Sequence, residues 1–315
     1  MTAYGWDTSH YDDPPTSRDG LSFYTHKCTD GAHFYADAEY QSSMNAAKNL
    51  GIPVLGAYHV LWDSNVTAQI DWFYEKVNTL TPWWKTHLSP VDGELYPFIW
   101  QLDCEPFDYN GGKPSKTSIQ NAVNYMQTKY NIELVCIEGY CPKWAYQDTL
   151  TGLTCRLWAS SYVSGSGPYE DLYPGDNSIR WSSYSGQSPI FLQYTSSAVI
   201  AGQTTCDANA YRGTEQELID YLRGGSVSTF SDVWKTDALK NPYGDSATNP
   251  VITAETYLYD IAKDLMAVKV KVATLSNTTI DYDALADAIV AKLPPTSLTK
   301  QDVVDALNAT KLQVG

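Results

Sequence analysis

The chain is short of positive charge: 21 Lys and Arg stand against 36 Asp and Glu over 315 residues, a formal net charge of −15. That balance argues against nucleic acid or an anionic membrane as the partner, since both attract basic surfaces. Long apolar runs are also missing, and no segment approaches the roughly 20 residues needed to cross a bilayer. The start, Met1-Thr2-Ala3-Tyr4-Gly5-Trp6-Asp7, has neither the charged region nor the apolar stretch of an export signal. The expectation is a protein made in a cytoplasm. The five histidines are scattered without metal-ligand spacing, and no C-x-x-C pair occurs among Cys28, Cys104, Cys136, Cys141, Cys155 and Cys206. No metal and no cofactor is therefore expected. The thiols read as free and mostly buried, with a Cys136–Cys141 bridge left open.

Phenylalanine is sparse beside the other aromatics, at 7 residues against 24 Tyr and 10 Trp. Tyr and Trp combine an apolar face with a polar edge, which suits sugar rings and equally suits a tyrosine-rich core. Composition leaves both open.

Through the first 224 residues, short apolar runs alternate with segments of helical period. Runs ending at Asp7, Cys28, His59, Asp103, Glu138, Ala159 and Tyr194 read as strands. Segments 38–50, 65–80 and 118–130 read as helices, a weak helix is expected around 142–147, and Thr214 with Glu217 forms a capping box for another. The alternation predicts an α/β fold of parallel βα units, closed into an irregular TIM-like barrel. Between Trp158 and Ile190 the chain is rich in Ser, Gly, Pro and Tyr, and consecutive strands are expected there. Gly224-Gly225 marks a boundary, followed by a linker over 225–250 and a small all-α region over 251–315. Val251, Ala254, Leu258, Ile261, Leu265, Val268, Val272 and Leu275 alternate spacings of three and four. That heptad pattern predicts a helix that associates with copies of itself; a single helix packed on the barrel is the alternative. Wall binding is a further possible role for the region.

The stretch Tyr96-Pro97-Phe98-Ile99-Trp100-Gln101-Leu102-Asp103-Cys104-Glu105 ends an apolar run in two carboxylates. On a strand they share one face. Two adjacent acids at a buried strand end are costly to keep charged, and a glycoside-cleaving pair is one use for them. An N-cap and a loop ion pair would explain a lone D-x-E equally well. In a barrel, working groups stand at the C-terminal strand ends, where Asp7, Asp103, Glu105 and Asp207 are expected.

Six segments occur together in order over residues 4–213: Gly5-Trp6-Asp7-Thr8-Ser9-His10-Tyr11, Lys27-Cys28-Thr29-Asp30-Gly31, Gly56-Ala57-Tyr58-His59, Trp100 to Glu105, Leu157-Trp158-Ala159, and Leu192-Gln193-Tyr194 with Cys206-Asp207-Ala208-Asn209. This set resembles the glycoside hydrolase family 25 lysozymes. The resemblance implies a (β/α)5(β)3 barrel and an N-acetylmuramidase that cuts the β-1,4 bond between N-acetylmuramic acid and N-acetylglucosamine in bacterial peptidoglycan. It implies Glu105 as the general acid, with Asp7, Asp103 and Asp207 as carboxylate partners. Asp103 is expected to be the charged neighbour of Glu105. Tyr58, Trp100, Trp158 and Gln193 are implied as lining the sugar groove. Two positions depart from the pattern: Asp12 stands where Gln is common, and Asp30 where Glu is usual. Taken with the absent export signal and the extra C-terminal region, the resemblance implies a phage endolysin held in the host cytoplasm before it reaches the wall. A virion-associated lysin and an inactive wall-binding module are the alternatives.

Overall fold

The structure, a computed structural model, describes residues 2–31 and 34–224, and beyond them only 239–240, 251–252, 286–287, 291, 299–301 and 303–304. The chain divides into two compact units, Met1–Ser231 and Asp232–Gly315.

The first unit runs β1 (Ala3–Thr8), β2 (Phe23–Asp30), β3 (Tyr35–Ala36), α1 (Tyr40–Asn49), β4 (Val54–Val60), α2 (Val66–Leu80), β5 (Phe98–Asp103) and α3 (Lys116–Tyr130). It continues with β6 (Ile137–Tyr140), α4 (Lys143–Tyr146), β7 (Arg156–Ser160), β8 (Gly167–Pro168), α5 (Tyr169–Leu172), β9 (Phe191–Ile200), β10 (Gln203–Tyr211) and α6 (Glu215–Leu222). Strands β1, β2, β4, β5, β6, β7, β9 and β10 pair in that order, and β10 pairs back onto β1 to close an eight-stranded barrel. The pairs from β1 to β9 are parallel, whereas β10 is antiparallel to both β9 and β1. The α/β barrel expected from the sequence is the one observed.

The long helices pack by an apolar stripe at spacings of three and four. α2 buries Ile70, Phe73 and Val77, and α3 buries Ile119, Ala122, Val123 and Met126 against the barrel's outer face. Ser115 caps α3 by accepting from the Ser118 amide, and the Thr214–Glu217 capping box opens α6 as the sequence predicts. Inside the barrel, alternate strand residues form a second core that includes Phe23, Val54, Ile99, Trp158, Phe191 and Tyr211. Gly5 makes room for this layer: a Cβ there would lie 2.2 Å from the Phe23 ring.

Local departures from the sequence reading have local causes. The strand expected over 134–138 starts only at Ile137, because Leu134–Cys136 forms a 3-10 turn closed by the Cys136 amide on the Glu133 carbonyl. β5 stops at Asp103, so Glu105 lies in the following loop and the shared-face argument for the pair does not apply. All six cysteines are free, which decides against a Cys136–Cys141 bridge.

In the second unit, β11 (Leu239–Lys240) pairs antiparallel with β12 (Val251–Ile252). Val251, expected as the first heptad position, is thus in a strand, and the rest of 253–275 lies outside the described residues. Residues 286–287, 300–301 and 303–304 are helical. Among the described residues, no helix is long and apolar enough to cross a membrane, and no cluster of three or more His, Cys, Asp or Glu could hold a metal ion.

Candidate active site

A cavity of about 450 Å³ opens at the C-terminal ends of the parallel strands, and Asp7, Asp103, Glu105 and Asp207 all line it. Asp7 comes from the end of β1 and Asp103 is the last residue of β5. Glu105 is brought in by a tight turn, its amide donating to Asp103 Oδ1 at 3.1 Å. Asp207 is not at a strand end, contrary to the sequence expectation. It lies within β10 directly opposite Asp7, and reaches the same rim because β10 runs against the other strands.

Asp7 is the most heavily solvated by protein. Gln193 Nε2 donates to its two oxygens at 2.9 and 3.1 Å, and Asn209 Nδ2 donates to Oδ1. These donors are themselves held. Trp158 Nε1 donates to Asn209 Oδ1 at 2.9 Å, while Tyr140 and Tyr162 hydroxyls donate to Gln193 Oε1. The Tyr140 hydroxyl also lies 3.4 Å from Glu105 Oε1. Its single proton is committed to Gln193 at 2.6 Å, so a protonated Glu105 can donate to the Tyr140 oxygen instead.

Four carboxyls crowded into one cavity oppose one another's ionisation. Burial raises the Asp7 pKa to about 6, with the Asn209 and Gln193 donors opposing the rise. Burial and the Asp7 charge push Glu105 up to about 7. Asp207 rises to about 9 through burial and then through Asp7 and Asp12. Asp103 is raised well above the carboxylate range by burial and by Glu105, with Lys27 a weaker opposing influence. The amide donors of Gln193 and Asn209 favour the charged form of Asp7. Asp103, expected as the charged neighbour of Glu105, accepts the Glu105 backbone amide, whereas Asp7 accepts side-chain amide donors from two residues.

Of the residues expected to line a groove, Tyr58 and Gln193 do so. Trp100 does not. Strand alternation that turns Gln101 and Asp103 inward turns Trp100 outward, where it packs on Phe73, Tyr74, Trp84 and Phe98. Trp158 also leaves the groove: it is fully buried in the barrel interior and donates a hydrogen bond to Asn209. Asn209, Tyr140 and Tyr162 were missed by sequence reasoning. The two-residue step from Asp207 to Asn209 signals a shared strand face, and Tyr140 follows from alternation after Glu138, whereas Tyr162 sits in a loop with no periodic signal.

The pattern that defines glycosyl hydrolases family 25 matches residues 6–203, more than half of the chain. The chain belongs to glycosyl hydrolases family 25. Among solved structures, a family 25 lysozyme from Aspergillus fumigatus aligns with 70% of this chain and 99% of its own, at 17% identity and a TM-score of 0.52. A family 25 glycosyl hydrolase from Bacillus anthracis aligns with 70% of this chain and 93% of its own, at 17% identity and a TM-score of 0.49. The catalytic domain of endolysin ply40, from a bacteriophage of Listeria monocytogenes, covers 72% of this chain and 98% of its own, at 14% identity and a TM-score of 0.46. No curated protein sequence matches. In this family 25 barrel the two departures from the usual pattern are both engaged. Asp12 accepts from the Ser9 amide at 3.0 Å, and Asp30 accepts from Trp62 Nε1 at 3.0 Å and from the Tyr109 hydroxyl at 3.3 Å. Cys28, Cys104 and Cys206, adjacent to site residues in sequence, are buried in the outer core and do not line the cavity.

Proposed function

We propose that this family 25 protein is an N-acetylmuramidase, hydrolysing the β-1,4 bond between N-acetylmuramic acid and N-acetylglucosamine in bacterial peptidoglycan. The observation that carries the proposal is geometric: Asp7, Asp103, Glu105 and Asp207 line one cavity at the C-terminal strand ends, with the amides of Gln193 and Asn209 aimed at Asp7. Glu105, still protonated when Asp7 is charged, gives its proton to the leaving glycosidic oxygen. Asp7, fixed by Gln193 and Asn209, faces the positive charge that develops on the sugar ring and is the anion that offsets it. Asp103 and Asp207, held neutral by burial, are donors suited to the polar groups of the substrate, including an N-acetyl carbonyl. Water completes the hydrolysis. Tyr58 walls the groove. Mass spectrometry of products from purified wall tests this directly: new reducing-end muramic acid is expected, and a glucosaminidase or amidase pattern would reject it.

The endolysin role, with the enzyme waiting in a host cytoplasm, belongs to the same proposal, as does self-association through 251–275. A second compact unit beyond the barrel supports a division of labour between chemistry and placement. Light scattering on the full chain and on a chain ending at residue 224 tests the association; equal numbers of copies per particle would reject it.

A further inference from the structure

The side-chain amide of Gln193 is saturated with hydrogen bonds. Its Nε2 donates to both oxygens of Asp7, at 2.9 and 3.1 Å. Its Oε1 accepts from two hydroxyls, that of Tyr140 at 2.6 Å and that of Tyr162. An amide oxygen has two lone pairs, so both are taken. One of these donors has a second acceptor within reach: the Tyr140 hydroxyl lies 3.4 Å from Glu105 Oε1. That gap is long for a hydroxyl–carboxylate bond, and such bonds tighten in the working complex.

Each tyrosine is held by its own backbone. Tyr140 ends β6, in register with Asp103 on one side and Trp158 on the other. Its carbonyl accepts the Cys104 amide at 2.9 Å, which fixes it beside the Glu105 turn. Tyr162 lies in the loop after β7, where the Ser161 and Val163 amides bond to the Gln193 and Tyr194 carbonyls at 3.0 and 2.7 Å. Neither ring has to move for a hydroxyl to turn. Rotation about the Tyr140 C–O bond carries its proton from Gln193 toward Glu105, and Tyr162 still holds Gln193.

We propose that Tyr140 and Tyr162 are paired positioning residues: the Tyr140 hydroxyl swings from Gln193 to Glu105 when Glu105 loses its proton, while Tyr162 keeps Gln193 on Asp7. The proposal rests on the muramidase reading for the role of Glu105 as acid. In the free site Glu105 is protonated and donates to the Tyr140 oxygen, whose own proton lies on Gln193. Glu105 then gives its proton to the leaving glycosidic oxygen and is left a carboxylate. Tyr140 turns its O–H to that carboxylate, and no bond at the tyrosine breaks. The water consumed supplies a hydroxyl to the sugar carbon and a proton that restores Glu105, and Tyr140 turns back. The new anion gains a donor without Asp7 losing one.

The test follows the Glu105 carboxyl directly, by carbon NMR titration of the full chain labelled at glutamate carboxyls, with Glu105→Gln to assign the signal. The groups that act on Glu105 are Asp7, Asp103 and Asp207 from β1, β5 and β10, with Tyr140 and Tyr162; Lys27 of β2 shares the cavity. Tyr140→Phe is expected to lower the Glu105 acid dissociation constant about tenfold, as loss of one hydrogen bond to a charged group does. Tyr162→Phe removes no bond to Glu105, yet it leaves Gln193 with Tyr140 as its one hydroxyl donor. It should therefore lower the constant in the same direction, which a purely structural Tyr162 would not do. The double variant should match Tyr140→Phe. Circular dichroism and Tm check that each variant is folded. An unchanged constant in either single variant, or a change in the double equal to the sum of the two, would overturn the proposal. None of these readings depends on wall cleavage, so the products released from wall judge the muramidase reading separately.

Discussion

Trp158 is a buried indole that never meets the cavity, yet it fixes Asn209, the residue that donates to Asp7. Its Nε1 holds Asn209 Oδ1 at 2.9 Å, which leaves only the Nδ2 end of that amide to face the carboxylate. A side chain two bonds removed from the chemistry thus sets the sign of the dipole that the anion feels.

Trp158→Phe keeps most of the packing and removes the donor. Asn209 is then free to turn its oxygen toward Asp7, and the Asp7 pKa should rise from about 6. The expected outcome is an acid limb of the pH–rate profile displaced upward, with a fall in rate of about tenfold for a lost charge-assisted hydrogen bond. Asn209→Ala should move the limb in the same direction. A profile that stays in place while only stability falls would make Trp158 a packing residue.

The unsubstituted enzyme should show a bell-shaped dependence of kcat/KM. In the proposed mechanism activity needs Asp7 ionised and Glu105 protonated, so it should rise through about pH 6 and fall through about pH 7, the two values belonging to the pair. Glu105→Gln should remove hydrolysis and with it the alkaline limb, leaving the fold intact. Normal clearing of purified wall by that variant would discard the mechanism.

Trp100→Ala tests the outward placement of that ring. Removing a side chain packed among Phe73, Tyr74, Trp84 and Phe98 should cost about 3–5 kcal/mol in urea unfolding. KM of the fraction that remains folded should be unchanged. A raised KM with little loss of stability would return Trp100 to the groove.

Glu138 points into the barrel with both carboxylate oxygens buried and lacking a hydrogen-bond partner, and burial raises its pKa well above the usual range. The folded state then binds its proton more tightly than the unfolded state. The stability this gives is fully present below the ordinary carboxyl pKa and is lost as pH climbs toward the raised value. Glu138→Gln should remove this group's contribution, giving a chain more stable than the parent at neutral pH and a flatter fall of Tm between pH 4.5 and 8. Parallel curves for the two proteins would reject the assignment.

Much of this protein was determined by neighbours in sequence. Two-residue alternation and three- to four-residue stripes are local, and they placed most strands and helices of the barrel, as the Thr214–Glu217 pair placed the cap on α6, while the Ser115 cap on α3 and strand β10 came only with the structure. Co-occurring motifs brought Asp7, Asp103, Glu105 and Asp207 to one site. Alternation says that Trp100 and Asp103 face opposite ways, but only the closed barrel decides which way is in. The Glu105 turn ended β5 two residues early, and the antiparallel return of β10 brought Asp207 to the rim from mid-strand. The side-chain amide bonds to Asp7 come from residues 186 and 202 positions away. Such contacts exist only once the first strand meets the last two, because burial and hydrogen bonding, which set a carboxyl's pKa, depend on distance in space and have no counterpart in sequence spacing.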